Sequence, residues 1–249
     1  MSMLIFPVDA APERRLGARK WTVVEAAKRV IDVSGSLVGL LLLAPVFGLI
    51  AIAIKLDSPG PIFFVQERVG VNRRRGANGN GHGGGNGNGN GNGSSGERRN
   101  ANRYGRPIQV IKFRSMVTDA EKNTGPVWAA VKDDRITRVG RILRKTRLDE
   151  FPQLVNVLRG EMSLVGPRPE RFFFVKRLEE EIPGYAARCE VMPGITGLAQ
   201  VKWGYDSSID SANSKLLYDL YYVRNRRLML DIKIMAETFK VMARGEGAH

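Results

Sequence analysis

The chain has 249 residues, enough for one or two domains, and a formal net charge of +14, which points to an anionic partner: nucleic acid, phospholipid headgroups or a phosphorylated substrate. Its one cysteine, Cys189, rules out an internal disulfide and suits small core packing. The two histidines, His82 and His249, disfavour zinc sites and histidine acid–base chemistry, so carboxylates must carry any catalysis.

Residues 1–27 form a basic lead-in with little apolar periodicity, suited to lying near anionic headgroups. Val33 to Ile54 is an uncharged run of 22 residues, long enough as a helix to cross a hydrocarbon core of about 30 Å. Pro45 sits in its middle, and Lys or Arg flanks it on both sides (Arg14 to Arg29 before, Lys55 to Arg75 after). A single span should leave one flank poorer in positive charge. A re-entrant helix that breaks at Ala44-Pro45 and returns satisfies both facts; a kinked single span and a signal segment are the alternatives.

Ser58-Pro-Gly-Pro61 reads as a turn and Ile62 to Val65 as a short strand. Gly76 to Gly96 contains 11 glycines and 6 asparagines in 21 residues, too little apolar surface to offset chain entropy, so disorder is expected. A phosphate-cradling loop would need a Gly-Lys-Ser/Thr ending that is absent. Ile108 to Met116 reads as a second strand, and alternation puts Lys112 and Arg114 on one face about 6.8 Å apart, a spacing suited to a diphosphate or to a solvated strand face. RNA recognition by this stretch would want more stacking aromatics than are nearby.

Asp149 and Glu150 precede Pro152, which fits the first turn of a helix, so the carboxylates are expected at or beside its N-cap. Arg144, Lys145 and Arg147 crowd the same point and should hold Asp149 deprotonated at neutral pH, the state a nucleophile needs. Taken alone, such a pair is far more often an ordinary cap. Gly166-Pro-Arg-Pro169 offers Arg168 from a stiff turn, a geometry suited to bidentate phosphate binding. Pro193-Gly-Ile-Thr-Gly197 is another constrained turn. Leu228, Ile232, Met235, Phe239 and Met242 recur at helical spacing, a stripe expected on the protein core although Lys233 and Lys240 permit an interfacial pose.

Five stretches in order resemble the bacterial sugar transferase family, the monotopic phosphoglycosyl transferases: Lys28-Arg-Val-Ile-Asp32, Ser58-Pro-Gly-Pro-Ile-Phe-Phe64, Lys112-Phe-Arg-Ser-Met116, the Asp149 to Pro169 block, and Pro193 to Val201. The resemblance implies an α+β, predominantly helical protein with a re-entrant helix at 28–56, a catalytic domain at 57–249 and a small β-hairpin interrupted by the glycine-rich insertion at 76–96. It implies residence on the cytoplasmic face of a bacterial inner membrane among its lipids, and it is compatible with a homodimer. The implied reaction moves a sugar-1-phosphate from a UDP-sugar to undecaprenyl phosphate with Mg²⁺, releases UMP and starts exopolysaccharide or another surface glycan. Asp149 would form the phosphosugar–aspartyl intermediate and Glu150 would bind metal or position substrate, the metal ligands being drawn from Glu150 and Asp149. Lys112, Arg114, Arg144 and Arg168 would bind phosphate, while Pro193, Gly194, Thr196 and Gln200 would line the nucleotide-sugar site. Val201-Lys-Trp-Gly-Tyr-Asp-Ser207 resembles members of exopolysaccharide pathways and points to glucose or galactose. The rival readings are a membrane-tethered nucleic-acid binder, which would show salt-dependent nucleic-acid affinity without UMP release, and a non-catalytic membrane scaffold, which would have no need of the intact Asp149-Glu150, Arg168 and Lys112; no nucleic-acid partner is expected.

Overall fold

The computed structural model describes residues 23–72, 104–120, 122, 133–203 and 209–244. Helices dominate, in the order α1 (Val23–Asp57), β1 (Phe63–Val69), β2 (Pro107–Phe113), α2 (Arg138–Thr146), a 3₁₀ turn (Leu148–Glu150), α3 (Gln153–Leu158), β3 (Ser163–Val165), α4 (Phe172–Glu181), a second 3₁₀ turn (Tyr185–Glu190), β4 (Gly194–Thr196), α5 (Leu198–Lys202), α6 (Ile209–Arg224) and α7 (Leu228–Arg244). β1 and β2 form the expected antiparallel hairpin, with Phe64 opposite Lys112 and Arg68 opposite Ile108. The first strand runs four residues further than expected and the second stops at Phe113, short of the expected Met116. The connection at 76–96 lies outside the described residues.

α1 is one uninterrupted helix of 35 residues that contains Pro45, which corrects the expected break at Ala44-Pro45. Proline withholds one backbone donor, a local loss that helical dihedrals on either side survive. Both ends of α1 grip the same folded body. At the start, Lys28 Nζ donates to Asp231 of α7 at 2.8 Å and to the Val165 carbonyl of β3, and Arg29 donates to the Val157 and Leu158 carbonyls that end α3. One turn on, the Asp32 carboxylate accepts from the Leu164 amide and the Ser163 hydroxyl. At the far end, Ile50 and Ile54 pack with Phe113 and Leu143, and Asp57 accepts from the Val139 amide at the start of α2. Between these grips Val38, Leu41, Leu42 and Leu49 are exposed. α1 is the one helix among the described residues long and apolar enough to cross a membrane, by length and composition alone.

The interior is assembled from several packed clusters rather than one sheet face. Val165 of β3 meets Leu198, Tyr222, Val223, Leu230 and Ile234, joining α5, α6 and α7. Phe174, Val175 and Leu178 of α4 pack on Tyr185, Cys189 and Leu216, so Cys189 is the core residue expected of it. α7 forms as expected but turns differently: Leu230, Asp231 and Ile234 are buried, whereas Ile232 and Phe239 of the anticipated core stripe are exposed. The reason is Asp231, whose carboxylate accepts from Lys28 and from the Tyr222 hydroxyl and so must face inward.

Candidate functional site: a cationic cavity around two carboxylates

The hairpin, the end of α2, the 3₁₀ turn and the Gly166–Pro169 turn surround a cavity of about 800 Å³. Asp149 and Glu150 do not start a long helix. They occupy the 3₁₀ turn, the N-cap of α3 is Pro152, and α3 has six residues. The Glu150 amide is already bonded to the Arg147 carbonyl, so it is not a free donor of a helix N-terminus.

Both carboxylates are buried, with opposite electrostatic outcomes. Burial alone would raise the Glu150 carboxyl, but Arg168 and Lys112 overcome it and hold Glu150 well below the usual range. Arg168 donates through both terminal nitrogens, at 3.1 and 2.6 Å, and Lys112 Nζ donates to Oε1 at 2.8 Å. Asp149 is pushed up to about 6, first by burial and then by the neighbouring Glu150 charge, against the pull of Lys112, Arg168 and Arg144. The cations expected to hold Asp149 deprotonated do pull in that direction, but burial and the neighbouring carboxylate outweigh them and raise the group toward neutral pH. Burial also lowers the Lys112 ammonium, an effect that Glu150 opposes.

The expected phosphate binders are distributed unevenly. Lys112, Arg144 and Arg168 line the cavity, the first and third tied to Glu150. Arg114 also borders it, but its terminal nitrogens donate to the Ile54, Ser58 and Pro59 carbonyls at the end of α1, the Ser58 bond measuring 2.6 Å. Lys112 and Arg114 thus border one cavity, as alternation implies, and the Arg114 amide still donates to the Ile62 carbonyl, but the Arg114 guanidinium is taken up by the end of α1. Of Pro193, Gly194, Thr196 and Gln200, Gln200 alone borders the cavity. The other three brace the Arg168 turn, because the Gly194 amide donates to the Pro167 carbonyl, the Gly166 amide to Thr196 and the Ser163 amide to Pro193. A Cβ on Gly166 or Gly194 would strike the opposite backbone, so this close approach requires glycine.

Arg68 is a cavity residue that the sequence reading passed over. It lies in β1, donates to the Pro169 carbonyl at 3.2 Å and reaches Glu170 at 3.4 Å, and burial lowers its guanidinium. The alternation Phe64, Gln66, Arg68, on the same face as Lys112, is the signal in the sequence. Arg147, expected to crowd the carboxylates, lines the same cavity and caps α2 at φ 61°, left-handed backbone that costs an arginine about 1 kcal/mol or more. No cluster of three or more His, Cys, Asp or Glu occurs among the described residues. Adjacent Asp149 and Glu150 still match the one or two carboxylates that Mg²⁺ uses beside phosphate oxygens, although both oxygens of Glu150 are engaged by cations.

The family model for bacterial sugar transferases matches residues 23–76 and 95–245, leaving out most of the glycine-rich stretch that was read as an insertion. An Aeromonas hydrophila UDP-N-acetylgalactosamine-undecaprenyl-phosphate N-acetylgalactosaminephosphotransferase is 37% identical over 97% of this chain and 49% of its own length. A UDP-glucose:undecaprenyl-phosphate glucose-1-phosphate transferase of Caulobacter vibrioides is 36% identical over 98% of this chain and 82% of its own. The exopolysaccharide production protein PSS of Rhizobium leguminosarum bv. phaseoli is 38% identical over 88% and 97%. The chain thus spans about half the length of the Aeromonas relative and nearly all of the Rhizobium one. With its motifs in order, its carboxylate pair in a cationic cavity and a family match over most of its length, the chain belongs to the bacterial sugar transferase family.

Proposed function

We propose that this protein is a phosphoglycosyl transferase that moves a sugar-1-phosphate from a UDP-sugar to undecaprenyl phosphate and releases UMP, at the start of exopolysaccharide or another surface glycan. The observation that carries this reading is the division of labour in the dyad. The hydrogen bonds that Lys112 and Arg168 donate to it end on Glu150, while Asp149 sits beside the same cations with its carboxyl near 6, basic enough to attack and ionised at neutral pH. The printed names of the Aeromonas and Caulobacter relatives describe the same class of reaction.

An Asp149 oxygen attacks the sugar-bearing phosphorus, the bond from that phosphorus to the bridging oxygen breaks, and UMP departs with the bond's electron pair. An oxygen of undecaprenyl phosphate then attacks the same phosphorus and releases the Asp149 carboxylate, leaving a diphosphate-linked lipid sugar. Splitting the transfer spares the site a simultaneous meeting of three bulky partners. Lys112, Arg144 and Arg168 neutralise charge as UMP leaves. Asp149 and Glu150 would hold Mg²⁺ together with substrate oxygens, and the ion would add charge neutralisation at the diphosphate. Glucose or galactose is the proposed sugar.

α1 supports the proposed membrane setting. Both of its ends grip one folded body while its middle exposes apolar side chains, an arrangement that favours a helix dipping into one leaflet from the cytoplasmic face over a full span. Purified protein in detergent, given undecaprenyl phosphate, Mg²⁺ and a panel of UDP-sugars, should release UMP with at least one of them and stop with a chelator. With labelled UDP-sugar and no lipid, label should stay on the denatured protein and map to the peptide containing Asp149. Brisk turnover with lipid but neither UMP nor label without it would replace the covalent route by direct displacement.

A further inference from the structure

Among the described residues two non-glycine positions have positive φ, Asp119 and Arg147, and both line the cavity of the dyad. Aspartate enters left-handed backbone with help from its short side chain, so Asp119 needs no special account. Arginine has no such help. The cap itself asks only for a backbone N–H, which Arg147 donates to the Arg144 carbonyl, and Gly or Asn would supply it with less strain. A residue poor for the backbone, placed two positions before Asp149 on a cationic wall, points to its side chain as the reason for being there.

We propose that the Arg147 guanidinium is a phosphate-recognition group of the transfer site, holding a non-bridging oxygen of a substrate phosphate beside Asp149. Its five donors allow contacts within the protein and a bond to phosphate at once. Arg144, at the other end of the capping hydrogen bond, borders the same cavity, so the left-handed residue adds a second guanidinium to that wall. The inference rests on the transferase reading, and the phosphate has two sources, the diphosphate of the nucleotide sugar and the terminal phosphate of the lipid.

Arg147→Gly and Arg147→Asn both suit the left-handed cap, Arg147→Lys keeps charge without the bidentate fork, and Arg141→Gln removes an exposed charge of α2 away from the cavity. The Gly and Asn variants should melt at or above the wild-type temperature yet lose about tenfold or more in kcat/KM for one substrate, as expected for a lost charge-assisted bond. Lys should recover part of that loss, and Arg141→Gln should behave as wild type. A higher KM for UDP-sugar with a slower lipid-free burst of UMP assigns Arg147 to the diphosphate; a higher KM for undecaprenyl phosphate with the burst intact assigns it to the lipid phosphate. Wild-type kinetics in both variants, or activity lost only in step with a lowered melting temperature, overturns the proposal. If the wild-type protein releases no UMP from any UDP-sugar, the transferase reading fails by itself. Thermal shifts with pyrophosphate then decide the anion site: a shift in wild type that Arg147→Gly lacks upholds it, and equal shifts overturn it.

Discussion

Asp149 illustrates how one residue can be expensive for the fold and necessary for the chemistry. Its carboxyl titrates near 6 in the folded protein against an ordinary 3.8, so the folded state binds the proton more tightly than the unfolded chain. Stability therefore falls as pH rises from about 3.8 to about 6, and above that the ionised group costs on the order of 3 kcal/mol. Asp149→Asn removes the cost and the nucleophile together. UMP release should vanish while the melting temperature at pH 7.5 is unchanged or higher, with a smaller difference at pH 5. A variant that loses stability as well as activity would assign Asp149 to the framework. In wild type, kcat/KM should climb with pH through an apparent value near 6 that belongs to the dyad as a pair.

At the scale of elements, short segments are held by polar clamps where helical or strand hydrogen bonding alone would be marginal. The 3₁₀ turn Tyr185–Glu190 is fastened to α6 by Arg188, whose Nε and terminal nitrogen reach the Asp219 carboxylate at 2.8 and 2.7 Å with both groups buried. Asp219→Ala leaves an unpaired buried guanidinium and should cost about 3–5 kcal/mol in denaturant unfolding, whereas Arg188→Met with Asp219→Leu should recover most of it. A double variant as unstable as the single one would show that the pair adds more than its own desolvation. The hairpin has the reverse character. Its glycine-rich connection falls largely outside the family match, so replacing residues 76–96 by an Asn-Gly turn should leave UMP turnover within several-fold of wild type. Collapse of turnover with normal membrane location would give that connection a role in substrate binding.

On the whole-molecule scale the decisive matter is which side of the membrane each end of α1 occupies. Val23 and Leu56 are 86% and 84% exposed at its two ends. In a Cys189→Ser background, cysteines placed singly at these two positions should both be labelled by an impermeant reagent added to inverted vesicles, and neither should be labelled when it is added to intact, right-side-out ones. Labelling of one end from the periplasm would establish a full span. The grips at Lys28, Asp32 and Asp57 make that outcome structurally costly, since one end would have to release its buried partners.

Much of this protein was legible in the order of its residues, because the relevant physics is local. An uncharged apolar run reads as a helix, alternation beside turn residues reads as a hairpin, and two carboxylates amid arginines with almost no histidine read as an anionic-substrate site. The family motifs carried the rest of the functional expectation. Only the tertiary structure decided how the charges are shared. Arg114 and Arg168 look alike in sequence, yet one closes the end of α1 and the other holds Glu150, a difference made by partners 55 to 60 residues away in one case and 18 in the other. Lys28, Arg29 and Asp32 read as the flank and start of a membrane segment, but they clamp α1 to β3, α3 and α7. The ionisation of Asp149 likewise depends on burial and on which cations Glu150 takes up, quantities that arise when distant segments pack and that no local pattern encodes.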